Sequence, residues 1–423
     1  MLNSILNFLK SLKPEMIVQA PSRINLINPL DAVEADFWMP AVAINGIENP
    51  LSVFLYIKKT KSISRFRIYR VIKNSKGYIF EIETEEELIK SMEDLKEKCL
   101  GECALIYASI YRLSKMSASF WEKFKEQNIE FGLINSIPRQ SGLGGSAAII
   151  ISVLYGLSQY FKIFNNLSNL AENEFPINKD IIAEMATKIE DEDLKITAGY
   201  SDRYVISRGG LSFCSYYGKL FHEAISKEPL AVYDRIDEIY NINELPFILC
   251  YSGVIHESGS VHDKLRRLYL QKESTILKNY EKLAEIAWKA RFALMKKDWR
   301  HLGEYFKLNT EIMNLIMKNA GFEYGIGLAN NILIKLIENH PDVYAAKLTG
   351  AGGGGSVFAL VKPNKIESVL LNWKDSLSKL VNDEKLFKSN FPDYPLNIRT
   401  QLKYAEFYRI KICGQGVSII EKN

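Results

Sequence analysis

The sequence has few of the residues that build metal sites or disulfide frameworks. Its 423 residues include five cysteines and five histidines, scattered along the chain without a CxxC pair. An odd number of irregularly spaced cysteines predicts neither a disulfide framework nor a zinc site. Such cysteine usage is typical of a reducing compartment, so we expect a cytoplasmic protein.

The sequence also lacks an excess of charge of either sign and any long apolar run. The 54 basic and 50 acidic residues leave a net charge of only +4. Nucleic-acid binders need a clustered excess of positive charge, which argues against a nucleic-acid partner. No stretch approaches the roughly 20 apolar residues that span a bilayer. We therefore expect no membrane association.

The first 13 residues show a helical pattern. Apolar residues recur every three or four positions from Leu2 to Leu12, and polar residues interrupt them. This spacing predicts a short amphipathic helix over residues 1–13 that packs on the body of the protein. The interruptions argue against a signal peptide.

The remaining pattern predicts an α+β protein of two domains. Hydrophobic residues make up 47% of the chain and charged residues 25%, which is the balance of a globular protein. Strand-like and helix-like segments are mixed without strict alternation. A shift in composition divides the chain into residues 1–225 and 226–423. Among the individual predictions are strands at 51–57, 66–71, 78–83, 131–137, 211–215, 246–251, 343–348 and 356–361, and helices at 84–98, 104–113, 181–193, 261–296 and 299–318.

A glycine loop follows the strand predicted at 131–137. Residues 142–148 read GLGGSAA, and a long apolar helix pattern begins directly after them. Glycines allow backbone N–H groups to turn toward an anion, and the helix start adds unsatisfied donors and a positive dipole end. The sequence therefore predicts a phosphate cradle, in which Ser146 caps the helix or binds Mg²⁺. The loop is neither a Walker A motif nor a Rossmann fingerprint.

A second glycine loop lies between two predicted strands. Residues 347–356 read KLTGAGGGGS, with five glycines in six positions. Glycine is entropically costly there unless the backbone must approach something closely. We expect this loop to shape the same site as the first one.

Three motifs in this order resemble the GHMP kinases. They are PSRINLINPLD at 21–31, PRQSGLGGSAA at 138–148 and KLTGAGGGGS at 347–356. The resemblance implies the two-domain GHMP kinase fold, with an N-terminal ribosomal-protein-like domain and a C-terminal ferredoxin-like domain. It also implies ATP and Mg²⁺ as cofactors.

Four stretches are similar to the glucuronokinase branch of that superfamily. They are PRQSGLGGSAAI at 138–149, DLKITAGYSDRYVISRGGLSF at 193–213, HESGSVHDKLRRLY at 256–269 and NPLD at 28–31. The sequence departs from the family pattern in the first motif, which is one residue short before Asn28. It also has Gly145 where a second serine is usual. These departures leave the substrate open.

The resemblance places the catalytic aspartate at Asp202, which would orient the attacking hydroxyl and accept its proton. A carboxylate must hold Mg²⁺ opposite Ser146. The glucuronokinase branch suggests Asp191 for this role, and galactokinase-like spacing suggests Glu190. Arg23 matches a family position and would fix the first motif.

The resemblance also implies two larger sets of binding residues. The ATP-binding set is Pro138, Gly142, Leu143, Gly144, Gly145, Ser146, Ala147, Gly352 and Gly353. The substrate-binding set is Asp31, Arg139, Gln140, Arg203, Ser258, Gly259 and His262.

The favoured function is a kinase that acts on a sugar or sugar acid, with the anomeric hydroxyl of glucuronate as the expected acceptor. Other substrates of the superfamily remain open: a heptose phosphate, inositol, galactose or mevalonate. A ligand sensor without turnover and a decarboxylase on the same fold are further alternatives. The sequence leaves the oligomeric state open.

Overall fold

The computed structural model has the predicted α+β architecture, with helices packed on both faces of a large mixed sheet. It describes residues 1–27, 31, 33, 39–75, 77–88, 101–164, 177–216, 225, 230–255 and 258–423. Residues 28–30 of the first motif lie outside these ranges.

The strands of the described chain form one sheet that joins the two halves of the sequence. They are β1 Met16–Asn25, β2 Met39–Gly46, β3 Ser52–Lys59, β4 Arg65–Asn74, β5 Gly77–Glu87, β6 Ile129–Asn135, β7 Leu211–Ser215, β8 Val232–Arg235, β9 Phe247–Tyr251, β10 Val343–Thr349, β11 Ser356–Val361, β12 Glu406–Ile412 and β13 Ser418–Lys422. Their order is β10-β11-β9-β12-β2-β1-β3-β6-β4-β5, with β13 paired to β1 and β7 paired to β2 and β8. The β4–β6 pair is parallel.

The helices of the described ranges include none that is both long and apolar enough to cross a membrane. They are α1 Leu2–Ser11, α2 Glu102–Met116, α3 Ala118–Glu126, α4 Gly145–Tyr160, α5 Lys179–Lys188, α6 Ser201–Arg208, α7 Ile236–Ile239, α8 Ser258–Leu270, α9 Ser274–Met295, α10 Trp299–Asn319, α11 Leu328–Ile337, α12 Ile366–Asn382, α13 Glu384–Asn390 and α14 Asn397–Gln401. A π-helical turn, Ile189–Asp193, continues α5.

Helix α4 is the apolar helix predicted after the first glycine loop. Its residues from Ala147 to Ser158 are all buried. A helix that is apolar on every side needs cover on every side. It packs on β1 and β3 and is flanked by α2, α5 and α6. This packing fixes the position of the glycine loop at its N-terminus.

Helix α1 confirms the predicted amphipathic N-terminal helix. Ile5 and Leu9 are fully buried on the sheet, in a cluster with Tyr56 and Tyr69. The ring of Phe8 stacks on that of Phe80 with centroids 4.4 Å apart. The apolar stripe of the helix therefore covers one face of the first-half strands.

Two predicted helices differ from the structure. The helix predicted from Thr84 is wrong at its start, because β5 continues to Glu87 and residues 89–100 lie outside the described ranges. There Glu85 forms cross-strand ion pairs with Arg65 and Arg67, both at 2.9 Å. Opposite charges on facing strands stabilise the ladder and outweigh helix propensity.

The single helix predicted at 261–296 is also wrong, because it is interrupted between α8 and α9. Lys272 has a φ of 58° there, a left-handed conformation that ends a helix. The Glu273 side chain then accepts a hydrogen bond from the N–H of Ile276 at 2.7 Å and caps α9. A local cap thus overrides the continuous helical pattern.

The last 50 residues carry no motif, yet they complete the sheet. Strand β12 pairs with β9 and β2, and β13 pairs with β1, where Met16 lies opposite Lys422. The final strands therefore join the first ones. The division at residue 225 stays a prediction.

We predict that Leu9→Ala lowers the free energy of unfolding by about 2–4 kcal/mol, because it leaves a cavity under α1. Urea denaturation followed by circular dichroism measures this change. The control is Asn7→Ala on the exposed side of the same helix, expected to change stability by less than about 0.5 kcal/mol. Equal effects of the two variants would contradict the packing of α1 described here.

Candidate active site

A cavity of about 650 Å³ lies where the two glycine loops meet. Its wall includes residues of the loop at 138–146 and of the segment 196–203, together with Arg23 near the end of β1. Pockets of this size commonly bind small molecules.

The two glycine loops are in backbone contact. Gly142 has a φ of +69°, and a Cβ at this position would lie 2.8 Å from the carbonyl oxygen of Thr349. The Ser356 hydroxyl donates to the carbonyl of Ser141 at 2.8 Å. Only glycine fits this conformation and this approach. The loops therefore form one surface, as the sequence predicts.

The predicted ATP-binding residues divide into two groups. Those that line the cavity are Pro138, Gly142, Gly144, Gly145 and Ser146. Helix α4 begins at Gly145, so its unsatisfied N–H groups lie at this wall.

The other predicted ATP-binding residues do not line the cavity. Leu143 and Ala147 are fully buried in the core. The N–H of Gly353 donates to the carbonyl of Ile326 at 2.8 Å. Gly350 and Ala351, rather than Gly352 and Gly353, line the cavity in the second loop.

Asp202 lies in the first turn of α6 and lines the cavity. Arg23 of β1 forms a two-pronged ion pair with its carboxylate and also donates to the carbonyl of Gly142. The Asn25 amide donates to Asp202 Oδ1 at 3.2 Å. A forked guanidinium fixes both the position and the orientation of a carboxylate. Arg23 thus connects Asp202 to the phosphate loop, beyond the structural role predicted for it.

Asp31 is buried at the same end of the cavity. Its carboxylate accepts the backbone N–H of Ser201 at 2.7 Å. Burial, reinforced by the nearby Asp202 carboxylate, raises the pKa of Asp31 to about 6. Asp31 can accept hydrogen bonds from a ligand in this cavity.

The acidic run 190–193 forms the π-helical turn, and arginines from three helices bind it. Arg203 of α6 pairs with Glu190, and Arg266 of α8 pairs with Asp191 at 3.1 Å. Arg112 of α2 pairs with Asp193 at 2.7 Å. Such π-helical turns occur frequently at functional sites.

The two candidate magnesium carboxylates differ in position. Glu190 lines the cavity, whereas Asp191 accepts hydrogen bonds from Arg266 and from the N–H of Ala198 at 3.2 Å. The described residues contain no cluster of three or more His, Cys, Asp or Glu side chains arranged for a metal ion. Mg²⁺ commonly takes only one or two carboxylates besides phosphate and water. Ser146 and Glu190 fit that requirement.

His262 of α8 reaches the cavity from the second half of the chain. Its Nε2 is buried and has no hydrogen-bond partner among the described residues. Burial lowers the pKa of His262 to about 4, so the ring is neutral at pH 7. An unpartnered buried ring nitrogen is suited to a hydrogen bond with a ligand.

The remaining predicted substrate residues are spread around the cavity. Arg203 and Gln140 line it, as does Arg139, which also pairs with Glu83 at 2.9 Å. Gly259 lies on α8 outside the lining residues, and the Ser258 side chain is not described.

Sequence reasoning assigned no role to several residues that the structure brings together. Ser141 has a buried hydroxyl without a partner in the described chain and lines the cavity. Asn25 and Arg266 hold Asp202 and Asp191. The only sequence signal for them is their place inside matched motifs.

We predict that His262 makes the stability of the protein depend on pH between 6.5 and 4. In that range the unfolded chain takes up a proton that the folded ring does not. The contribution of His262 to the free energy of unfolding should therefore fall as the pH drops, by about 3 kcal/mol in total. Asp31, whose pKa is raised to about 6, contributes a change of opposite sign in the same pH range, so the urea midpoints are compared with those of a variant that lacks the imidazole.

The matched control is His262→Gln, which keeps a polar side chain that does not titrate. Its stability should exceed that of the native protein increasingly as the pH falls from 6.5 to 4. Parallel profiles for the two proteins would show that the folded ring titrates normally.

Comparison with known proteins agrees with this geometry. The family model described as the GHMP kinases N terminal domain matches residues 105–210, and that described as GHMP kinases C terminal matches residues 290–379. The chain is 28% identical over 245 residues to a probable glucuronokinase 2 of Arabidopsis thaliana, covering 57% of this chain and 60% of that protein.

Two further similarities broaden the comparison. A D-glycero-alpha-D-manno-heptose 7-phosphate kinase of Campylobacter jejuni is 24% identical, covering 57% of this chain and 64% of that protein. These matches span less than two thirds of either relative. The crystal structure of Lactococcus lactis galactokinase complexed with galactose superposes with a TM-score of 0.64 at 16% identity, covering 99% of this chain and 100% of that one. Both domain models, in their expected order on a shared fold, place the chain in the GHMP kinase superfamily.

Proposed function

We propose that this protein is an ATP-dependent kinase that transfers the γ-phosphoryl group to a hydroxyl of a sugar or sugar acid. The anomeric hydroxyl of glucuronate is the proposed acceptor. The observation that carries the proposal is the placement of Asp202 in the same cavity as the phosphate loop, with its carboxylate held by Arg23.

ATP would place its phosphates against the glycine loops. The N-terminus of α4 and the backbone around Gly142 provide donors for phosphate oxygens. Ser146 and Glu190 would hold Mg²⁺, which neutralises charge on the transferred group. Phosphoryl transfer needs mainly positioning and such charge neutralisation.

Asp202 would orient the acceptor hydroxyl and take its proton. The ion pair with Arg23 and the hydrogen bond from Asn25 restrict the carboxylate to one orientation. A fixed base lowers the entropic cost of reaching the reactive geometry. General base catalysis of this kind contributes about 10²–10⁴-fold in rate.

The charged and polar groups of the cavity favour a sugar acid as the substrate. Arg203 and Arg139 provide guanidinium groups for a carboxylate, and Asp31 and His262 provide hydrogen bonds for hydroxyls. The similarity to a probable glucuronokinase agrees with this choice.

The similarity to a heptose 7-phosphate kinase supports a second candidate substrate, since the same guanidinium groups could bind a sugar phosphate. Galactose, inositol and mevalonate are further candidates within the superfamily. A sensor without turnover is the alternative of a different class. The proposed cytoplasmic location does not distinguish between these substrates, or between a kinase and a sensor.

The test is a coupled ADP-release assay with Mg-ATP against a panel of sugars, sugar acids, sugar phosphates, polyols and mevalonate. We expect glucuronate-dependent turnover, and about a 100-fold or greater loss of kcat in Asp202→Asn with little change in the KM for ATP. The matched control is Asp375→Asn, whose side chain is 59% exposed on α12.

Each outcome decides between the candidates. If the protein phosphorylates a different compound and Asp202→Asn abolishes that activity, the kinase assignment stands and the proposed substrate is replaced. Nucleotide binding without turnover of any compound would favour the sensor. Undiminished turnover in Asp202→Asn would overturn the assignment of the base.

A further inference from the structure

A second cavity of about 1090 Å³ lies beside the candidate active site. One side consists of β4 and the segments around 49–50 and 135–139, and the other consists of α12 and residues 402–408. We call this cavity the tail groove, because residues between 374 and 408 build one side of it. The family motifs do not include these residues.

Aromatic and apolar side chains form much of the tail groove surface. Tyr78 and Phe407 line it as partly exposed side chains, and the buried residues Tyr69 and Tyr408 lie beneath them. The Phe407 ring packs edge-on against the buried Trp373, with centroids 5.3 Å apart. This contact holds the ring in place. The groove therefore offers fixed aromatic surface to a planar group.

Basic side chains surround this aromatic surface. The exposed residues Arg70, Lys73, Lys374 and Lys403 line the groove, and the structure shows no ion pair between them and a described carboxylate. The Nζ of Lys374 lies 5.8 Å from the centroid of the Phe407 ring, so a cation and an aromatic ring adjoin in the groove.

The carboxylates of the groove have partners. Glu83 and Glu102 pair with Arg139, at 2.9 and 3.5 Å, and Glu406 accepts a hydrogen bond from Tyr408. Five basic and three acidic side chains line the groove, which leaves an excess of positive charge that a phosphate group would neutralise.

We propose that the tail groove binds a nucleoside diphosphate at a site separate from the catalytic cavity. The partly exposed aromatic rings suit a base, and the exposed basic side chains suit two phosphates. A neutral sugar would leave the cations unused, and a simple anion would leave the aromatic surface unused. This inference goes beyond the proposed function and does not rest on it.

The position of the tail groove connects it to the catalytic cavity. Asn135, Pro138 and Arg139 line both cavities. They form the segment that leads from β6 into the phosphate loop. A ligand in the groove therefore contacts the segment that positions the first glycine loop, and any coupling of the two sites must be reciprocal.

The experiment measures binding rather than turnover. The full chain is first saturated with Mg²⁺ and the non-hydrolysable analogue adenylyl imidodiphosphate, which fills the catalytic cavity. Uridine, guanosine, cytidine and adenosine diphosphates are then titrated separately by isothermal calorimetry. We expect at least one of them to bind the loaded protein with one-to-one stoichiometry.

The double variant Lys374→Glu/Lys403→Glu should weaken that binding at least about tenfold, because it replaces two cations beside the phosphates. The control Lys379→Glu/Lys385→Glu makes the same change of net charge on exposed residues outside the groove, and should bind like the native protein. Affinity for the analogue should stay within about twofold in both variants, since neither touches the catalytic cavity.

Three results would overturn the proposal. They are the absence of binding by all four diphosphates to the loaded protein, equal binding in the two double variants, and inorganic pyrophosphate binding as tightly as the best diphosphate. If the analogue itself fails to bind, the proposed kinase function fails. In that case the same titrations on the unloaded protein, with the same variants, still decide the question of the groove.

Discussion

The ion pair between Arg23 and Asp202 is the interaction on which the candidate site depends. It joins β1, α6 and, through the Gly142 carbonyl, the first glycine loop. The Arg23 side chain is 5% exposed and that of Asp202 is 16% exposed. Removing one partner from a buried pair costs about 3–5 kcal/mol, because the other charge is left without compensation. A substitution of either residue is therefore expected to destabilise the protein by leaving the other charge without its partner.

Other carboxylates of the cavity are likewise compensated by arginine side chains. Glu190 and Asp202 both lie against Arg203, and Asp191 follows Glu190 in the chain, so the repulsion between these carboxylates would be unfavourable without compensation. Arginines from three elements of the fold pair with them. These ion pairs fix the positions of the carboxylates. Burial of Arg203 lowers its pKa to about 10, which still leaves it charged near neutrality.

The sequence predicts the parts of the fold that local pattern decides. Helices α1 and α4 follow from apolar periodicity, and the two glycine loops meet as the motifs imply. The strand from Thr84 to Glu87 and the break at Lys272 were missed, because cross-strand ion pairs and a local cap decided them. The Arg23–Asp202 contact spans 179 positions, so only the resemblance could hint at it. The residue roles in the candidate site stay predictions.

The pairing of β1 with β13 has a consequence for how the chain acquires its structure during translation. Met16 is synthesised before its strand partner Lys422, which follows more than 400 positions later. Contacts of such long sequence separation form slowly, because a large loop must close first. One hydrogen-bonding edge of β1 therefore stays unpaired until β13 has been synthesised. Exposed strand edges of this kind favour aggregation. Ribosome-bound intermediates of this protein should thus depend on chaperones until β13 has emerged.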